Sequence, residues 1–160
     1  AAFPAAMRRL NLSVAEAERQ LIKEAGLLGL SGVSPDLRDI KTAADRGDAR
    51  AQLAIDVFIH QIRHWIGAFW FDLGGCDALV FTGGIGENNP WLREAVCAGL
   101  GELGLYLDTD VNRTAAPESD LASSDSRTRA LVIPANEELV VARETARLLS
   151  SLNPQPSTLN

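Results

Sequence analysis

Three short segments carry residue types suited to chemistry. The first is Gly83-Gly84-Ile85-Gly86-Glu87, which follows the apolar run Ala78-Leu-Val-Phe81 and precedes Asn89-Pro90. Glycine lets a backbone turn sharply and lets a ligand come close to it. A helix start just beyond favours anionic groups. The pattern suits a phosphate or a nucleotide, and a simple tight turn has the same composition. It is neither a Walker loop, since no Gly-Lys-Ser/Thr follows, nor a Gly-x-Gly-x-x-Gly fingerprint.

The second segment is Asp36-Leu37-Arg38. A guanidinium stacks on a base or pairs with phosphate. The plainer reading is an exposed Arg beside the helix-start carboxylates Asp36 and Asp39. The third is Asn136-Glu137-Glu138. A carboxylate there could hold Mg²⁺ through water, the usual arrangement when the metal also rides on phosphates. The plainer reading is acidic charge at a helix N-terminus, worth under about 1 kcal/mol.

Each segment lies at the end of a predicted element. Residues 4–25 read as one helix or two short ones, with Ser13 and Glu16 forming a capping box. Gly26, Gly29 and Gly32 punctuate a loop. Ser34-Pro35-Asp36 opens a short helix with Ser34 as the cap and Pro35 in its first turn. After a turn at Asp45–Asp48, the longest helix spans about 49–72, with Ile55, Phe58, Ile59, Ile62, Trp65, Ile66 and Phe69 at helical spacing. Its stripe is wide enough for a central position or a subunit contact. His60 and His64 lie one turn apart on it, but no third metal ligand is near in sequence.

Ala78–Phe81 reads as a strand covered on both faces. The glycine loop then leads to a helix over Pro90–Leu100, a short strand at Leu105–Leu107 and a polar surface loop over 114–128. Arg129–Ile133 is a second buried strand, and a last helix over about 136–150 is capped by Asn136. The tail at 151–160 is expected to be disordered. Strands alternating with helices predict an α/β fold with parallel pairing. Its sheet is narrow and incomplete, and flanked by helices.

A net charge of −6 disfavours non-specific binding to nucleic acid or anionic membranes. No apolar run reaches the roughly 20 residues that span a bilayer. Arg8 and Arg9 lack the apolar core that makes a signal peptide. Two cysteines, Cys76 and Cys97, are too few for a disulfide framework, so a reducing cytoplasm is expected. No spacing of His and Cys suggests zinc.

Three motifs occur together and in order: Gly26-Leu-Leu-Gly-Leu-Ser-Gly-Val-Ser-Pro-Asp-Leu-Arg38, Asp77–Asn88, and Val132-Ile-Pro-Ala-Asn-Glu-Glu-Leu139. In these the chain resembles the C-terminal part of the acetate/propionate kinase family, within the actin-like ATPase (ribonuclease H-like) superfamily. The resemblance runs from about Phe3 to Leu149. It implies that Asp36, Leu37 and Arg38 contact the adenosine of ATP or ADP, and that Gly83, Gly84, Ile85, Gly86 and Glu87 also bind the nucleotide. It implies that Glu137 helps hold Mg²⁺, and that the long helix belongs to the region through which family members form homodimers. Ala135 departs from the usual Thr, and His60-Gln61 from the common Tyr-Arg.

The resemblance also implies a parent reaction, phosphoryl transfer from ATP to acetate. Propionate is the alternative acceptor. It matches residues 1–150 to the C-terminal portion of the nucleotide-binding domain. The catalytic arginines, histidines and carboxylate of the family match no residue here, nor does its N-terminal part. The expectation is therefore a chain without catalytic residues of its own and inactive alone. The alternative is a stand-alone nucleotide-binding or dimerisation module.

Overall fold

The computed structural model describes residues 2–152. They divide into two compact units, one through Gly74 and one from Gly75.

The first unit is helical. Helix α1 (Ala2–Leu10) is followed by α2 (Val14–Lys23), so the 4–25 region resolves into two helices. The predicted capping box closes α2: Ser13 Oγ accepts from Glu16 N–H at 3.3 Å and Glu16 Oε2 accepts from Ser13 N–H at 2.8 Å. The glycine stretch expected as a loop is instead a helix, α3 (Gly26–Ser31). Its closing carbonyls explain why. Arg50 donates to Gly29 O at 3.1 Å and Leu30 O at 3.2 Å, and Gly32 ends the turn at φ 70°.

Helix α4 (Leu37–Asp45) begins two residues later than Ser34 predicts. The cap is Asp36, whose Oδ1 accepts from Arg38 N–H at 2.8 Å. Ser34 supports it instead, accepting from Asp36 N–H at 3.0 Å. Helix α5 (Ala49–Asp72) has the predicted span, and Asp48 caps it through the N–H groups of Arg50 and Ala51. Ile40 of α4 and Ala51, Ala54 and Ile55 of α5 are buried, the small alanines sitting at the core-facing start of the long helix. Beyond Ile55 the helix leaves the core: Trp65, Phe69 and Phe71 are exposed, the first two stacked at 5.9 Å.

The second unit holds the sheet. Its elements are β1 (Ala78–Phe81), α6 (Gly83–Asn88), α7 (Pro90–Cys97), a 3₁₀ turn (Leu100–Leu103), α8 (Thr109–Thr114), β2 (Ser119–Asp120), β3 (Arg129–Val132) and α9 (Glu137–Leu152). The strand order is β1-β3-β2, with β1 parallel and β2 antiparallel to β3. Phe81, Leu92, Val96, Leu121, Ala130 and Val132 form its core.

Several expectations are corrected here. β1 is an edge strand with Val80 45% exposed, not a strand covered on both faces. The run Leu105–Leu107 makes only an isolated bridge, Leu107 to Ala122. The polar 114–128 stretch contains β2, which the fully buried Leu121 anchors. Helix α7 stops at Cys97, and Gly99 at φ 77° separates it from the 3₁₀ turn. Asn136 directly precedes α9 and its carbonyl accepts from Leu139 N–H at 3.0 Å, but it stands at φ 49° with its side-chain amide donating to Pro134 O at 3.5 Å, so the expected cap is made by the backbone and not by the side chain. Helix α9 runs on through Ser151 and Leu152, and the rest of the expected tail, 153–160, lies outside the described residues.

Candidate functional site

The glycine segment after β1 is a helix rather than a loop. Thr82 is extended at φ −144°, Gly83 turns at φ 71°, and α6 follows. Glycine is a poor helix former, and a six-residue helix leaves most of its carbonyls without helical partners. Side chains supply what is missing. Asn88 donates to Gly84 O at 3.0 Å and Asn89 to Ile85 O at 2.8 Å. Arg93 Nη1 donates to Gly86 O at 2.8 Å and Glu87 O at 2.7 Å. Four consecutive carbonyls are thus held by side chains.

The three glycines differ in what demands them. At Gly83 the positive φ does, since other L-residues are strained there. At Gly86 the demand is slight, since a Cβ would stand 3.4 Å from the Phe81 carbonyl carbon, an ordinary van der Waals contact. At Gly84 neither applies: its φ is not in the left-handed region and a Cβ would meet nothing within 4 Å. The folded chain gives no reason for a glycine at that position.

Arg93 and Asn112 are the residues sequence reasoning missed. Arg93 is 1% exposed and Asn112 fully buried. Arg93 Nε donates to Asn112 Oδ1 at 2.7 Å and Nη2 to Asn112 O at 2.9 Å. Asn112 Nδ2 in turn donates to Pro90 O at 3.0 Å. Burial pulls the guanidinium pKa below its ordinary value, and Cys97 and Glu94 offset part of that. A signal was present: Arg93 falls in the buried stripe of α7 with Leu92, Val96 and Cys97.

Across from α6 lies the start of α9. Gly83, Gly84, Glu87, Pro134, Asn136 and Glu137 help to line a cleft of about 710 Å³. Glu87 ties its two walls, since Oε1 accepts from Ala135 N–H at 3.0 Å. Glu137 and Glu138 are exposed at the cleft. Among the described residues no three His, Cys, Asp or Glu side chains cluster as an enclosed metal cage would require. A single cleft-facing carboxylate still fits Mg²⁺, which keeps several waters and takes one or two carboxylates beside phosphate oxygens.

The Asp36–Arg38 segment lies in the first unit. Leu37 is 5% exposed and belongs to the core, so its side chain is turned away from solvent. Arg38 has an 85% exposed side chain, and its Nε donates to both Asp36 carboxylate oxygens at 3.0 and 3.1 Å. Those bonds, with the Arg38 backbone N–H, hold the Asp36 pKa down at about 2. The guanidinium is therefore tethered at one edge with its face open. His60 and His64 are both exposed on α5.

Residues 1–143 match the model of the Acetokinase family. The chain is 46% identical over 149 residues to an acetate kinase of Treponema denticola, an alignment covering 93% of this chain and 38% of that protein. Among solved structures, an acetate kinase of Porphyromonas gingivalis superposes with a TM-score of 0.84 at 36% identity, over 92% of this chain and 37% of that one. A propionate kinase of Francisella tularensis subsp. tularensis superposes with a TM-score of 0.79 at 37% identity, over 89% and 36%. The chain thus spans little more than a third of the length of these relatives.

Proposed function

This chain belongs to the acetokinase family, its α/β fold being part of the actin-like ATPase fold, and from that premise we propose that it is the adenosine-binding part of an acetate kinase. The parent reaction is transfer of the γ-phosphoryl group of ATP to the carboxylate of acetate, giving ADP and acetyl phosphate. Propionate is the second candidate acceptor, supported by the likeness to a propionate kinase.

The observation that carries the reading is Gly84. In a helix a glycine costs roughly 0.5–1 kcal/mol against alanine. Here it lines the cleft with open space before it, as suits close approach of a phosphate chain. Arg38 offers a guanidinium face to the adenine base, held in place by Asp36. Glu137 would hold Mg²⁺ through water, and the metal would supply neutralising charge on the phosphates. Phosphoryl transfer rests on positioning and charge stabilisation, and the candidate site residues of this chain include no cationic clamp of the kind it needs. The chain is therefore proposed to bind nucleotide without turning it over.

The partners proposed are the remainder of a full-length kinase and a second copy of the chain. The exposed Trp65, Phe69 and Phe71 on α5 support a homodimer and keep the dimerisation-module reading in view. No helix among the described residues is long and apolar enough to cross a membrane, and a cytoplasmic location is part of the proposal. Titration calorimetry with ADP tests the reading. Binding that is lost in Arg38→Ala and in Gly84→Val supports it. A parent chain without measurable ADP binding, or variants that bind equally well, would sink it.

A further inference from the structure

We propose that Arg93 is a positioning residue for the nucleotide, holding α6 in the conformation that turns Gly84 to the cleft; the proposal rests on the reading of Gly83–Glu87 as nucleotide-binding. A guanidinium at 1% exposure is an expensive way to fill a core, and an apolar side chain of similar volume would pack α7 at least as well. What an apolar residue cannot do is donate. The four hydrogen bonds of the Arg93 guanidinium end on neutral carbonyl oxygens, two of Asn112 and two at the end of α6. Glu94 and Cys97 act on it through space, as nearby groups and not as acceptors of these bonds. The planar fork therefore joins two segments at fixed geometry: the Asn112 end orients it and the Nη1 end receives α6.

The consequence reaches the cleft through Glu87. Its carbonyl accepts from Arg93 and its carboxylate accepts from Ala135 N–H on the opposite wall. Fixing the backbone of Glu87 thus sets both the glycine wall and the spacing to the α9 wall. Lysine is a point charge that cannot span both ends of this arrangement.

The test compares Arg93→Lys with Val96→Ala in the 160-residue chain, Val96 being a buried neighbour on α7. Two readouts are taken well below each unfolding midpoint: ADP affinity by calorimetry, and amide hydrogen exchange across residues 84–88. Loss of one hydrogen bond to a charged donor predicts at least about tenfold weaker ADP binding in Arg93→Lys, with faster exchange in α6. Val96→Ala, though destabilised, keeps ADP affinity within about twofold of the parent and slow exchange in α6, because a loss of packing spares the donor. The proposal is overturned if a folded Arg93→Lys matches the parent in both readouts. It is equally overturned if Val96→Ala reproduces its losses, for then general softening of α7 explains them. Should Arg93→Lys fail to fold, Asn112→Ser, which removes the orienting acceptor, carries the same expectation and the same refutation. If the parent binds no ADP, the nucleotide role falls with the reading above, and exchange alone decides whether Arg93 holds α6.

Discussion

Replacing each glycine of α6 with alanine separates what folding requires from what a ligand requires. Gly83 sits at φ 71°, where an alanine is strained by about 1–2 kcal/mol. Part of that is offset by reduced freedom of the unfolded chain, which leaves Gly83→Ala less stable by about 1 kcal/mol. At Gly86 the new methyl would stand 3.4–3.5 Å from Phe81 atoms, van der Waals contact at its near limit, so stability should stay near that of the parent. At Gly84 the methyl meets nothing within 4 Å, and the gain stands unopposed. Gly84→Ala should therefore be more stable by about 0.4–1 kcal/mol. If a phosphate approaches that backbone, the same methyl occupies its path, and ADP binding should weaken at least about tenfold, or roughly 1.4 kcal/mol. Stability and affinity thus move in opposite directions at this position. Urea unfolding gives the first quantity and calorimetry the second. A Gly84→Ala chain that is stabilised yet binds ADP like the parent would show that nothing approaches Gly84. A destabilised one would show that the local geometry is not the one described.

Three further outcomes follow from the first unit. Asp36 has a pKa of about 2 when folded against an ordinary 3.8, so its contribution to α4 is complete above about pH 4 and is lost as pH falls through 2. The stability difference between parent and Asp36→Asn should be flat above pH 4 and shrink towards zero near pH 2, which urea unfolding across that range reads directly. Ile40 is fully buried, and Ile40→Ala should cost about 2–5 kcal/mol by the same assay; a loss under 1 kcal/mol would mean that α4 is not seated on a packed core. Phe69→Glu places a charge beside the exposed Trp65 and should convert a dimer to monomers in sedimentation velocity, with little change in helix content. A parent chain already monomeric at the same concentration would refute the dimer.

The elements read most accurately from the sequence are those whose causes are local. β1 was legible to the residue because Ala78–Phe81 is a continuous apolar run with glycines on either side. α5 was legible because the apolar positions from Ile55 to Phe69 keep helical spacing for about four turns. The errors have non-local causes. α3 and α6 look like loops because glycine is treated as a breaker, yet each is held by side chains from further along the chain, Arg50 for one and Arg93 for the other. β2 is two polar residues whose pairing to β3 no local pattern announces. At Ser34-Pro35-Asp36 both Ser and Asp are good caps, and only the observed bond from Arg38 N–H decides for Asp36.

Within the three segments that the motifs mark, the sequence could not divide the labour. Leu37 is needed by the core, Gly83 by its backbone angle, and Glu87 by the bond from Ala135. Folding accounts for these three without any ligand. It does not account for Gly84, for the exposed Ile85, for the outward face of Arg38 or for the cleft-side carboxylate of Glu137. Ligand contact should therefore concentrate in this second group, and positioning in the first together with Arg93. The distinction has a measurable form. Substitutions in the first group should lower stability and affinity together, whereas those in the second should lower affinity while stability holds or rises. Arg93 tests the boundary, because it belongs to the buried core by exposure and to the cleft by the carbonyls it holds.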